Sequence, residues 1–507
     1  MADPFQRTPA AGATREPPRL TGRSLRARYL ALSLASVLVG ALGFAWFHAA
    51  STSVDSIAVA TFVIAHESRT PRYLAEGIPQ TLAKSLSRVA GLRVIAIGAN
   101  PSAGPGVSGP PPRGEMKARA VLRGLIAENG GRIVIDTEVT DAATGRVISI
   151  GHYDRPSAEL LDLQDAVALD VFLALRPHAS ADDRTRVGLR YTQSAEAYRL
   201  LLEGRGETNV GSAQGYSQAT DRLRQAVRVD PHYALAYATL AEYEMRVAAY
   251  RGEVASQARV DAEHAVALDP MLAEGHIALG LVKIRLDWDW PGAERAIKRG
   301  LELAPTSALA HDRYAAYLAT LGRVPDTIVE AKRAQELQPA SAVISGDLGW
   351  FLLFSGQYVD AVSQFRKTLA IDAHSTRAFE GLGIALSQSG RHDEAIVNLR
   401  RAFDLSEKSA VVAGHLGAAY ARKGNKVEAQ AAIRSLEILV ARGAAPASSI
   451  AEIYAALGDK NRALAWLDRA SAARDFSMAD IAVAPWFRPL RTDVRFQKIV
   501  GRLNLKD

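Results

Sequence analysis

A chain of 507 residues without one cysteine has room for two or three domains, and it excludes disulfides, thiolate nucleophiles and cysteine-ligated metal. Its net charge of +7 is uneven: the first 28 residues hold six arginines and two acids, so +4 lies there and only +3 in the rest. No basic stripe is left in the main body to track a phosphate backbone, so direct nucleic-acid binding is not expected.

Residues 1–28 are rich in proline, arginine and alanine with few large apolar side chains, and read as a disordered basic tail. Residues 29–47, YLALSLASVLVGALGFAWF, run for 19 positions without a charge. As a helix rising about 1.5 Å per residue they reach roughly 28 Å, close to the ~30 Å of a bilayer's hydrocarbon. Tyr29 and Trp46 stand at the two ends, where amphipathic rings prefer to lie, and Arg23, Arg26 and Arg28 crowd the N-terminal side. The reading is a single transmembrane helix over residues 29–50 in a bacterial inner membrane, with the tail cytoplasmic and the rest in the periplasm. The rival is a cleaved signal peptide, but cleavage after Ala49 or Ala50 puts Phe47 or His48 where a small residue is wanted. Ser36 and Gly40 form a small-xxx-small pair of the kind through which spans pack, which adds a homo-oligomer reading.

The next stretch alternates strand and helix signals. Residues 56–63 read as a strand, 73–91 as a helix with Leu82, Leu86 and Val89 on one face, and 92–98 as a second strand. Residues 118–128 and 132–141 flank Asn129-Gly130-Gly131, a hairpin turn; 145–154 follow a turn at Thr144-Gly145; 158–175 form an amphipathic helix. Together they predict a compact α+β domain over residues 55–180. Within it, residues 98–116 carry too much glycine and proline for a helix and read as a mobile loop.

From there on the chain repeats. Gly322, Gly356, Gly390, Gly424 and Gly458 step by 34 residues, Ala361, Ala395, Ala429 and Ala463 follow at an offset of five, and Gly349, Gly383 and Gly417 keep the same step. A 34-residue period predicts stacked helical hairpins. In GIALSQSGRHDEAIVNLRRA (383–402), a small-residue helix ends at Gly390, whose missing Cβ suits a left-handed cap, and a second helix opens with acids at its N-terminus. Pro231, Pro270, Pro305 and Pro339 close earlier units at steps of 39, 35 and 34, the long step implying a longer loop near residues 249–253. This pattern resembles the tetratricopeptide repeat. The resemblance implies a mainly α fold, a right-handed superhelix of about seven repeats over residues 194–473, with 474–507 as a C-terminal capping segment.

Residues 55–180 resemble the TolB-amino-terminal-like domain, through YLAEGIPQTLAKSLSRVAGLRVIA, VLRGLI, GGRIVIDTEVTDAATGRVIS and DLQDAVA. LDWDWPGAERAIKRGLELAP and WFRPLRTDVRFQKIVGRLNL also look like that family's repeat and tail segments. The resemblance implies the exported part of a bacterial membrane-bound signalling protein. Relatives often carry a winged-helix or nucleotide-cyclase domain before the span; with 28 residues there, neither output is carried over.

No HExxH, GxSxG or GxxxxGK[ST] motif is present, the 11 histidines are scattered, and no cofactor or metal is called for. Asp287 and Asp289 alternate with Trp288 and Trp290, read as a helix–helix corner or a sticky surface. Placing Gly349, Gly383 and Gly417 at the small position of the first helix turns Trp350, Phe354, Arg377, Glu380, Gln388 and Arg422 toward a concave groove. Aromatics beside mixed charge suit peptide binding, while Trp350 and Phe354 packing between helices is the alternative. The lysine–asparagine clamp of some repeat proteins is missing, its positions being Gly346, Glu380 and Gly414. The function expected is a non-enzymatic periplasmic scaffold binding proteins or peptides. The alternatives are the sensory component of a transmembrane signalling system acting through a cytoplasmic partner, and an enzyme with a non-local site in the α+β domain.

Overall fold

The computed structural model describes residues 54–504, except 66–67, 69, 98–117, 209–212 and 252–254. The basic tail (1–28), the span (29–50) with Ser36 and Gly40, and the 98–116 loop lie outside the described residues. No helix among the described residues is long and apolar enough to cross a membrane.

The first part is a sheet with helices on one face. Strands β1 (Ser56–Ala60), β2 (Val63–Ile64), β3 (Arg93–Ile97), β4 (Ala120–Asn129), β5 (Arg132–Asp141) and β6 (Val147–Pro156) form it in the order β3-β1-β4-β5-β6, with β2 also beside β4. β3, β1 and β4 run parallel, while β4, β5 and β6 form an antiparallel meander. Helices α1 (Arg72–Ser87) and α2 (Leu160–Leu175) bury Ile78, Leu82, Leu86, Val167 and Phe172 against Ile57, Val59 and Leu122. The single strand predicted at 56–63 breaks at Thr61 and Phe62. There the chain leaves the ladder, the Thr61 amide bonds to Ile97 O and the Phe62 amide to Ala75 O. The Phe62 ring fills the space over Gly124, so close that an added Cβ would meet Cε1 at 2.6 Å.

After a short helix α3 (Ala181–Val187), sixteen helices pair into eight hairpins among the described residues, where the spacing suggested about seven repeats. They are α4 (Ala195–Glu207) with α5 (Ala213–Val229), α6 (Ala234–Arg251) with α7 (Ser256–Leu268), α8 (Ala273–Val282) with α9 (Trp290–Leu303), and α10 (Ala308–Thr320) with α11 (Val324–Leu337). Then come α12 (Ala342–Phe354) with α13 (Tyr358–Ile371), α14 (Thr376–Gln388) with α15 (His392–Leu405), α16 (Ala410–Lys423) with α17 (Lys426–Ala441), and α18 (Ala447–Leu457) with α19 (Lys460–Ala472). All eight lie within residues 194–473, the range expected to hold about seven. The long 39-residue step is helix rather than loop for much of its length, since α6 continues through Arg251.

The glycine ladder does what its spacing implied. All five turn glycines have positive φ, between +72° and +91°, a region that L side chains enter at a cost. Gly349 and Gly383 sit where a Cβ would press on Phe365 and Leu399 of the second helix, each at 2.6 Å. Ala361, Ala395, Ala429 and Ala463 are fully buried.

The sheet and the repeats share one hydrophobic core, running from Ile57 and Leu82 through Leu201, Leu223 and Tyr233 to Leu272. Helix α1 lies directly on α4: a Cβ on Gly77 would stand 2.8 Å from Leu202 Cδ2, and one on Gly206 2.8 Å from Tyr73 Cβ. A second core spans Ile284 to Leu503 and takes in the end of the chain, helix α20 (Val494–Gly501) included.

Candidate binding cleft and self-occupied groove

Serines fix where charges emerge on the first helix of each later hairpin. Ser307, Ser341 and Ser375 accept hydrogen bonds from the amides of Ala310, Ile344 and Ala378, capping α10, α12 and α14 in equivalent register. Arg313 and Asp347 therefore occupy the same helical position one repeat apart, and His415 occupies it two repeats later.

These residues meet charges from other hairpins in the interior. Asp347, with 4% of its side chain exposed, accepts from Arg246 Nη2 of α6 at 3.2 Å and from Arg377 Nε of α14 at 3.1 Å, with Arg313 Nη1 at 3.6 Å. Arg313 in turn donates to Glu242 at 2.6 Å and to Asp312. Burial alone would raise the Asp347 carboxyl; Arg246, Arg377 and Arg313 outweigh it and hold the group well below the usual carboxylate range. Asp312 goes the other way: burial, then the charge of Asp347, push it up to about 7.

Beside this network a cleft of about 580 Å³ opens between the α+β domain and the first helices of five hairpins. α1 contributes Lys84 and Arg88, α4 contributes Arg205, and Tyr191, Tyr216 and Tyr243 supply rings. Lys84 pairs with Glu274 at 2.7 Å and lies 4.5 Å from the centre of the Tyr191 ring. Burial, only partly offset by Glu274, lowers its ammonium to about 8. Arg88 stacks on the same ring at 4.2 Å and donates to the carbonyls of Arg186 and Leu189 at 3.2 and 2.6 Å.

The six residues expected along a groove are placed as follows. Trp350 is 5% exposed, edge-on to Phe365 at 6.2 Å and 5.8 Å from half-buried Phe354, so it packs between helices. Its outer face carries Arg377 at 4.7 Å. Glu380 is buried and faces His415 Nε2 at 3.4 Å, while His415 Nδ1 meets Glu452 at 2.6 Å. Burial opposes charging of His415, but Glu452 and Glu380 prevail and raise its pKa. Gln388 and Arg422 join none of these pairs; Arg422 lies within electrostatic reach of Glu452.

The reason this face is closed is the chain's own end. The segment read as a cap returns into the interior. Trp486 inserts between Phe354 and His415, with ring centres at 6.0 and 5.1 Å. Asp480 pairs with Arg285 and accepts from Thr320 at 3.2 Å, and Trp290 Nε1 donates to Leu503 O at 2.6 Å. The Asp287–Trp290 run is the corner between α8 and α9: Trp288 has φ +56° and Asp289 caps α9 through the Gly292 amide at 2.9 Å. Sequence reasoning missed Arg246, Arg313, Asp347, His415 and Glu452. A usable signal was the shared register of Arg313, Asp347 and His415, charges recurring in otherwise apolar helices.

No protein-family model matches the chain. The chain is similar to a curated protein named "Putative adenylate cyclase 3" of Rhizobium meliloti (strain 1021), 30% identical over 224 residues, which are 43% of this chain and 37% of that protein. It thus spans little more than a third of that relative's length. Among solved structures, Cut9–Hcn1 of the APC/C matches 68% of this chain and 63% of that one, at 16% identity and a TM-score of 0.44. The human IFIT1 dimer with PPP-AAAA matches 62% and 88%, at 16% and 0.39. The pilF protein of Pseudomonas aeruginosa matches 46% and 98%, at 18% and 0.32. The hairpin array rests on this chain's own helix pairing and glycine ladder, not on those likenesses.

Proposed function

We propose that this protein is a membrane-anchored scaffold that binds proteins or peptides in the bacterial periplasm. The observation that carries it is the cleft of about 580 Å³, walled by the α+β domain on one side and by consecutive tetratricopeptide-type hairpins on the other. Its size falls within the ~300–1,000 Å³ of sites that engulf small ligands or a few residues of peptide. The uncharged run at 29–47 behind three arginines supports the anchor and the orientation. The strand–helix–strand, meander and helix of residues 56–175 are the elements that the TolB-amino-terminal-like reading expects of this segment. Binding at the cleft rather than along α12–α16 follows from Trp486, which already fills that face.

A second reading is the sensory part of a transmembrane signalling system, favoured by the likeness to a relative whose name is that of an adenylate cyclase. Cyclase catalysis itself is not proposed for the chain.

Photocrosslinking in intact cells from Leu189, at the cleft rim, tests the scaffold, together with protease protection of the membrane fraction. Discrete crosslinked partners, and digestion of the main body only once the outer membrane is permeabilised, are expected. A chain recovered wholly in the soluble fraction, or crosslinks absent from Leu189 but abundant from the exposed Ile150, would overturn it.

A further inference from the structure

We propose that the cleft between α1 and the helices α6, α8, α10 and α12 recognises the side-chain carboxylates of an acidic peptide; this rests on the scaffold reading and names its ligand class. Five cations line the cleft, and three are matched: Arg246 by Asp347, Arg313 by Asp312 and Glu242, Lys84 by Glu274. Two are not. Arg88 gives its hydrogen bonds to main-chain carbonyls, and Arg205 makes no ion pair among the described residues. Two guanidinium groups with no carboxylate hydrogen-bonded to them among the described residues, Glu274 standing within electrostatic reach of Arg205 and Asp165 of Arg88, lie on the adjoining helices α1 and α4 and make an oxyanion-binding surface whose planar forks match carboxylates two bonds at a time.

The other wall adds a separate observation. Arg313 Nε and Asp312 Oδ1 are buried without a hydrogen-bond partner, on side chains 5% and 1% exposed, and both residues line the cleft. A buried donor left unmet costs about 1–3 kcal/mol, and a ligand oxygen reaching Arg313 would relieve it. Burial and the charge of Asp347 push Asp312 up to about 7; in its protonated form it adds a donor where an ionised acid would repel, and Glu242 then balances Arg313. α8, α10 and α12 also begin at the cleft, where Leu272, Ser307 and Ser341 line it, so three helix N-termini reinforce the positive potential. The tyrosine rings add apolar walls for the stems of glutamate side chains, and the volume admits a short peptide rather than a folded domain.

The test is fluorescence anisotropy on the full chain in detergent with labelled N-acetyl-tetraglutamate, as the C-terminal amide and as the free acid, and with tetralysine amide. The amidated tetraglutamate binds, more weakly as salt rises, and tetralysine does not. R205E and R88E each weaken binding tenfold or more, and R205Q, the milder change, weakens it several-fold with an unaltered melting profile. Three results overturn the proposal: no binding of the amide by the wild-type chain, unchanged binding by R205E and R205Q, or binding of the free acid alone. The last assigns the cleft to a terminal carboxylate. Each can occur while cellular crosslinking still captures partners, so the scaffold reading stands or falls separately.

Discussion

Arg246 and Asp347 are 101 residues apart and joined at 3.2 Å in the interior, the first on the second hairpin and the second on the fifth. The pair ties distant turns of the array together, with Arg313 and Arg377 on the same carboxylate. Removing one partner of a buried pair leaves charge uncompensated, typically at ~3–5 kcal/mol. Asp347→Asn is expected to lose stability of that order in equilibrium urea unfolding. A loss below ~1 kcal/mol would mean water reaches the arginines and the network contributes little.

The same network gives a pH signature. Asp312 titrates near 7 when folded, above its unfolded value of about 3.9. Ionising it therefore costs the folded state; the cost is absent below about pH 4 and complete above about pH 7. Asp312→Asn is expected to flatten the fall in melting temperature between pH 4 and 7 and to melt higher than wild type at pH 8. An unchanged slope would show that Asp312 ionises freely.

His415 works in a higher window. Its folded pKa is raised, so the stability from Glu452 and Glu380 is fully present below the unfolded value of about 6.5 and is lost as pH rises through the folded value. His415→Gln should cost more at pH 6 than at pH 9. Equal costs at both would assign the residue to packing against Trp486 alone.

Two glycines seven residues apart in one repeat separate two effects. Gly349→Ala presses a methyl on Phe365 inside a hairpin, an overpacking expected to cost ~1–3 kcal/mol. Gly356→Ala meets no atom within 4 Å but sits at φ +76°, and is expected to cost ~1–2 kcal/mol through the backbone. Pairing Gly349→Ala with Phe365→Leu should recover part of the first loss, and the same partner change should do nothing for the second. Rescue of both would refute the distinction.

Trp486→Ala should cost ~3–5 kcal/mol and leave residues 474–504 open to limited proteolysis while the hairpins resist. Cleavage spread evenly along the chain would show that the tail is an integral layer of the core rather than a detachable occupant.

The hairpins, their turn glycines and the strands of the α+β domain were legible because each depends on neighbours a few residues away or one repeat away. Gly390 needs only its own turn to adopt φ +79°, and Gly383 meets Leu399 of its own hairpin. The site was not legible in that way. Trp350, expected at a groove, packs between helices, and nothing local to it or to Glu380 says that Trp486 arrives beside Phe354 and His415.

The sequence by itself thus determined the unit and its period, because a 34-residue repeat records contacts between adjacent helices. The tertiary structure alone decided what the units enclose. Small rotations add from repeat to repeat, and their sum brings Arg246 to Asp347 and Lys84 to Glu274. Gly77 and Gly206 let α1 settle on α4 and wall the cleft, and Asp480 carries the chain end back to Arg285. Each of these depends on accumulated curvature and long-range approach, which no single repeat encodes.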